Sequence, residues 1–157
     1  SGYRGDLWLA RSGKGKIVNV TPADYRYFAI KVGFKSQLVP GKNKPNGCIK
    51  LEIFDDGIKK IGPEYFGTGG DANNRYEILG ASEISTTEPN VLYYDLQSKY
   101  KTVTPTDWNQ VFDLVQCKFV IADFPETAQT YDLYWIRSFK SIEELQAFVD
   151  SENNTNE

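Results

Sequence analysis

Apolar and polar residues alternate along this chain in short runs, the two-residue period of half-buried β-strands, and clusters of turn residues separate the runs. Arg26 to Phe34 places Phe28, Ile30, Val32 and Phe34 on one face and Tyr27, Ala29 and Lys31 on the other. Gly47 to Phe54 repeats the pattern, with Ile49, Leu51 and Ile53 inward and Lys50, Glu52 and Phe54 outward. Asp55-Asp56-Gly57 predicts a tight hairpin turn, because glycine accepts the positive φ such turns require, and Ile58 to Ile61 predicts the returning strand. Further strands are predicted around Leu7-Trp8-Leu9 and over Arg75–Leu79, Val91–Leu96, Val111–Ala122 and Tyr131–Phe139. Within Val91–Leu96, Leu92, Tyr94 and Leu96 share one face, and Val91, Tyr93 and Asp95 the other. Pro63 to Asn74 and Thr102 to Asn109 read as loops.

One segment carries a helical signature. Ser141-Ile142-Glu143-Glu144 is a capping-box pattern, with the serine accepting from the third backbone N–H and Glu144 reaching back. Ile142, Leu145, Phe148 and Val149 then form a short apolar stripe. Ser151 to Glu157 contains no apolar residue and predicts a disordered polar tail. Together these elements predict an all-β fold, a β-sandwich of two antiparallel sheets with one short C-terminal helix, residues 1–150 forming a single domain.

Composition narrows the function classes. A chain of 157 residues suits one domain with a sizeable core. Its net charge of −3, with Lys and Arg scattered, lacks the concentrated cationic face that phosphate binding needs, so nucleic acid is not the expected partner. No apolar run approaches the roughly 18 residues needed to span a bilayer, and no basic amphipathic helix is present, so direct membrane insertion is not expected. The absence of histidine removes Ser-His-Asp and Cys-His catalysis and His-ligated zinc. The absence of methionine and the Ser1-Gly2 start suggest a domain cut from a larger multidomain chain. Cys48 and Cys117 each fall inside a predicted strand; buried free thiols and a single disulfide both fit that placement.

The closing segment is the most distinctive. Tyr131-Asp132-Leu133-Tyr134-Trp135-Ile136-Arg137-Ser138-Phe139, followed by Ser141-Ile142-Glu143-Glu144-Leu145, resembles the last strand and trailing helix of a family of jelly-roll domains. These look like carbohydrate-binding modules and occur in surface glycan-binding proteins and multimodular polysaccharidases of gut bacteria. Tyr27-Phe28-Ala29-Ile30-Lys31, Val91-Leu92-Tyr93-Tyr94-Asp95-Leu96 and Phe119-Val120-Ile121-Ala122-Asp123 resemble internal strands of the same group. The resemblance runs over most of residues 20–149 and implies a non-catalytic glycan-binding domain located outside the cell or on the bacterial surface. Where the family pattern often carries an acidic residue before the last strand's aromatic, this chain has Tyr134. The resemblance also implies a structural Ca2+, for which Asp6, Asp123 and Asp132 are the candidate oxygen donors, and no other cofactor.

The residues supply chemistry that fits a sugar. A pyranose offers an apolar C–H face for stacking on Trp or Tyr, and a hydroxyl rim for planar polar groups. Aromatic residues make up 14% of the chain, and a β-rich core takes most of them, so the candidates are those on outward faces or in polar loops. The outward face supplies Tyr27, Lys31, Lys50, Glu52, Phe54, Tyr93, Asp95 and Lys118. The loops supply Trp108, within Thr106-Asp107-Trp108-Asn109-Gln110, and Tyr65 ahead of the run that ends in Asn74 and Arg75. Trp8 is a further candidate, whereas Trp135 is expected in the core. The Gly67–Gly70 run lacks the strand–loop–helix setting of a phosphate-binding loop. Two other classes stay open: a small jelly-roll glycoside hydrolase or polysaccharide lyase, needing paired carboxylates that no spacing here supplies, and a structural spacer that contacts protein.

Overall fold

The structure, a computed structural model, describes residues 3–10, 18–21, 23–34, 48–54, 65–66, 77–85, 87–96, 112–114, 116–124 and 131–155. The described chain is mostly β-structure with one C-terminal helix. The strands are β1 (Tyr3–Ala10), β2 (Val18–Val20), β3 (Tyr27–Phe34), β4 (Cys48–Phe54), β5 (Tyr65–Phe66), β6 (Glu77–Ile78), β7 (Asn90–Asp95), β8 (Phe112–Leu114), β9 (Gln116–Phe124) and β10 (Tyr131–Phe139). Helix α1 spans Ile142–Thr155. All strand pairs are antiparallel, in the orders β10-β3-β7-β6, β1-β9-β4-β5 and β2-β8. Among the described residues no helix is long and apolar enough to cross a membrane.

The sheet β10-β3-β7-β6 is buried on both faces, and this is why its alternation reads differently in three dimensions. Phe28, Ile30, Val32, Leu92 and Tyr94 line one face, all at most 6% exposed. On the opposite face the register sets Phe139, Tyr27 and Asp95 in one row, Arg137, Ala29 and Tyr93 in the next, and Trp135, Lys31 and Val91 in the third. The sequence pattern predicts this second face as outward. In the structure Ala29 is fully buried there and clusters with Val91, Phe139 and Leu145, because α1 lays its apolar stripe across it. Phe148 meets Trp135 and Phe139 with ring centroids 5.2 and 5.6 Å away, and the Arg137 guanidinium lies 4.2 Å from its centroid.

The helix begins as the capping box predicts, with one shift of detail. Ser141 Oγ accepts from the Glu144 N–H at 3.1 Å, while the Glu144 carboxylate accepts from Lys140 N–H, one residue before the cap, at 2.8 Å. Glu143 and Glu144 in the first turn also complement the helix dipole. The end of the helix corrects the sequence expectation of a disordered tail from Ser151: α1 continues through Thr155. Its last turns are held by polar contacts that hydrophobicity does not report. The Glu152 carboxylate accepts from Trp135 Nε1 at 3.0 and 3.1 Å and pairs with Lys31 Nζ at 3.5 Å. Ser151 and Thr155 hydroxyls donate back to the carbonyls of Phe148, Ser151 and Glu152, and that of Glu152 is among the acceptors that the helix end otherwise leaves open.

Other predicted elements shift. Val111–Ala122 divides into β8, paired with β2, and β9, the centre of its own sheet. The predicted loop Pro63–Asn74 contains β5, in which Tyr65 pairs with Lys50. The turn at Asp55-Asp56-Gly57, the strand at Ile58–Ile61 and the loop Thr102–Asn109 lie outside the described residues.

The register also decides between the two cysteine readings. Cys117 pairs with Ile53 and Cys48 with Ala122, so five residues of strand separate the two positions. At roughly 3.4 Å per residue that is about 17 Å along the sheet, far beyond the roughly 4.4–6.8 Å between Cα atoms of a disulfide. Alkylation of the denatured, unreduced monomer is expected to titrate two thiols; a monomer with none would contradict the β4–β9 register.

Candidate ligand-binding face

Helix α1 covers Ala29, Val91 and Phe139 on its sheet face and leaves a half-buried strip at its edge, where Tyr27, Tyr93 and Leu79 pack against that cluster. At one end of the strip, Tyr27 and Tyr93 are half-buried diagonal neighbours, their rings edge-to-face with centroids 6.2 Å apart and planes at 77°. Arg26 fixes this corner. Its Nε and Nη2 donate to the two Asp95 carboxylate oxygens, each at 2.7 Å, and its guanidinium carbon lies 5.4 Å from the Tyr27 ring centroid. Hydrogen bonding to Asp95 raises the Arg26 pKa above its usual value. Glu77 pairs with Tyr93 in register and is exposed.

Desolvation, then the charge of Glu77, with Tyr27 and Asp95 adding to it, raises the Tyr93 phenol above its usual value. The folded state therefore holds this proton more tightly than the unfolded chain. The resulting stability is fully present below about pH 10, the ordinary tyrosine value, and is lost as pH rises through the raised folded value. Tyr93→Phe is expected to flatten that alkaline fall in urea titrations between about pH 8 and pH 11; equal slopes for the two proteins would contradict it.

Past Val91, the next residue on the same face and itself buried under α1, the face opens again. A groove of about 600 Å³ lies between α1 and the turn joining β6 to β7. Leu79, Val91 and Val149 give it an apolar floor, while Lys31, Ser85, Glu88, Asn90, Gln146 and Asn153 give it polar walls. Gly80, at φ 73°, turns the chain at its rim in a conformation that side-chain-bearing residues rarely adopt.

Asn90, only 4% exposed, shapes the far wall. Its Oδ1 accepts from Ser85 N–H at 2.8 Å, and its Nδ2 donates to the carbonyls of Ser85 at 2.9 Å, Val32 at 3.4 Å and Glu88 at 3.5 Å. Ser85 Oγ in turn accepts from the N–H groups of Thr87 and Glu88 at 3.2 and 3.0 Å. The turn thus rests on side-chain hydrogen bonds that replace a regular ladder.

The sequence-predicted residues divide between locations. Tyr27, Tyr93 and Lys31 share the face just described. Trp8 and Glu52 are placed on the other four-stranded sheet, both in register with Lys118 on β9, and Tyr65 is on its β5 edge. The predicted outward surface is therefore two surfaces, since Lys50, Glu52, Phe54 and Lys118 belong to one sheet and Tyr27, Lys31, Tyr93 and Asp95 to another. Trp108, Asn74 and Arg75 lie outside the described residues. Asp6 is opposite Val120, three residues from Asp123 along β9, whereas Asp132 is opposite Gly33 in the other sheet. Among the described residues no three His, Cys, Asp or Glu groups gather as metal ligands. No binding step is assigned to Ca2+.

Several groups escape the sequence reading. Asn90, Gln146 and Asn153 come together only through folding. Tyr134 is 53% exposed because it is the extra residue of a bulge: Leu133 pairs with Val32 and Trp135 with Lys31, leaving Tyr134 unpaired between them. Its ring lies over Gly33 and 5.3 Å from Lys31 Nζ. A glycine on the paired strand, over which a large ring can lie, is the signal that could have found it.

Residues 1–145 match the family described as "Domain of unknown function (DUF4979)". The chain belongs to that family. No curated protein and no solved structure matches the chain.

Proposed function

We propose that this DUF4979 domain is a non-catalytic carbohydrate-binding module, a two-sheet jelly-roll sandwich that holds a polysaccharide outside the cell or on the bacterial surface and targets an attached enzyme or surface complex to it. Burial of the sheet face lined by Phe28, Ile30, Val32, Leu92 and Tyr94, away from α1, supports a second layer packed there. The observation that carries the glycan reading is the strip itself: one sheet face bears a half-buried tyrosine pair and, past the buried Val91, a groove walled by amide, hydroxyl and charged side chains. Tyrosine rings stack on the C–H face of a pyranose, and planar amides match vicinal hydroxyls. Affinity of this kind is modest for one site, and its benefit is the raised local concentration of whatever is tethered to the domain.

Affinity electrophoresis through gels containing xylan, mannan, β-glucan or pectic polymers tests this. The wild-type domain is expected to be retarded by at least one polymer. Tyr93→Ala and Tyr27→Ala are each expected to weaken retardation by about tenfold, or about 1.4 kcal/mol, with circular dichroism confirming that each variant remains folded. Unchanged retardation in both variants would remove this face from the site. No new reducing ends are expected on incubation with the retarding polymer, and their appearance would contradict the non-catalytic reading.

A further inference from the structure

We propose that the strip selects neutral polysaccharides and discriminates against uronic or otherwise anionic ones. This rests on the glycan-binding reading and goes beyond it to the substrate class. An acidic glycan needs at least one cation free to meet a carboxylate. Among the described residues, the cations of this face are engaged: Arg26 is bidentate to Asp95 at 2.7 Å, Lys31 pairs with Glu152 at 3.5 Å while facing the Tyr134 ring, and Arg137, on the β10 side, lies 4.2 Å from the Phe148 ring centroid. The Arg26 side chain is 42% exposed and that of Lys31 18%, each held by its carboxylate partner.

The other described charges beside the tyrosine pair and along the groove are negative. Glu77 stands exposed beside Tyr93 at one end, and Glu88 stands exposed on the groove wall at the other. The groove's Gln146 donates to a further carboxylate, Asp150, at 2.9 Å. Burial first, and then the charge of Glu77, tightens the hold on the Tyr93 proton. A polymer bearing one carboxylate per residue or two would bring like charges together along the strip, whereas hydroxyls meet Ser85, Gln146 and Asn153 at no electrostatic cost.

Isothermal titration with hydroxyethyl-cellulose and carboxymethyl-cellulose as a matched pair, alongside xylan, mannan and polygalacturonan, tests the inference. Neutral polymers are expected to bind at least about tenfold more tightly than their acidic counterparts. Raising salt from about 10 mM to about 0.5 M is expected to strengthen acidic binding while leaving neutral binding level, because screening relieves a repulsion. The Glu77→Gln, Glu88→Gln double variant is expected to bind the acidic polymer about threefold or more tightly than the parent. Acidic polymers binding as tightly as neutral ones, with affinity falling as salt rises, would overturn the inference and leave the glycan reading standing. Binding of no polymer at all would contradict the glycan reading, and this inference with it.

Discussion

Leu145→Ala is expected to destabilise the domain by about 2–5 kcal/mol in urea denaturation, among the larger effects available to any single truncation here. Leu145 is fully buried at the centre of the α1 stripe and clusters with Ala29, Val91 and Phe139 from three strands. Removing three carbons there leaves a cavity lined by elements that are each held elsewhere, so collapse into it is limited. The neighbouring Ala147 is exposed, and Ala147→Ser is expected to cost only about 0.5 kcal/mol, the difference in helix propensity. Equal effects at the two positions would mean that α1 does not cover the sheet, and the uncovered strip would lose its boundary.

Replacing Asn90 by leucine keeps the number of side-chain heavy atoms and removes all four of its hydrogen bonds. The expected cost is about 1–3 kcal/mol, from the Ser85 N–H and the carbonyls of Ser85, Val32 and Glu88 left without their amide partner. Asn90→Asp is the sharper variant. It restores an acceptor for the Ser85 N–H but turns a carboxylate oxygen toward three carbonyls, so it is expected to stay destabilised. Hydrogen exchange locates the damage: the amides of Ser85, Thr87 and Glu88 should exchange faster in both variants, while those of β10 hold. Protection at residues 85–88 equal to that of the parent would show that Asn90 does not build the groove wall.

These two positions also show what the sequence could and could not disclose. Strand periodicity is local, and it located β3, β4, β7 and β10 to within a residue or two at each end; the apolar stripe and capping box likewise located the start of α1. What lies over a strand face is not local. Tyr27, Ala29 and Lys31 read as outward because period-two alternation assumes one covered face, and the helix that covers the second arrives more than a hundred residues later. The end of α1 was hidden for the same reason. Ser151 to Thr155 is polar throughout, and its anchor, Glu152, is held by Trp135 and by Lys31, 121 residues away in the chain. Lys31 was legible as a polar residue on an aromatic-bearing face, and Tyr27 and Tyr93 as potential platforms. Asn90, Gln146 and Asn153 carry no motif; only the approach of α1 to the β6–β7 turn makes them neighbours. Tyr134 breaks the alternation of its strand, a mark that became informative once its ring was seen to lie over Gly33.

Chemical-shift mapping of the isotope-labelled domain with an oligosaccharide of whichever neutral polymer retards it bears on the strip as the binding surface. The largest perturbations are expected at Tyr27, Tyr93, Lys31, Gln146 and Asn153, a track that runs from the tyrosine pair to the groove on either side of the buried Val91. Perturbations confined to Trp8, Glu52 or Trp108, with that track silent, would contradict it.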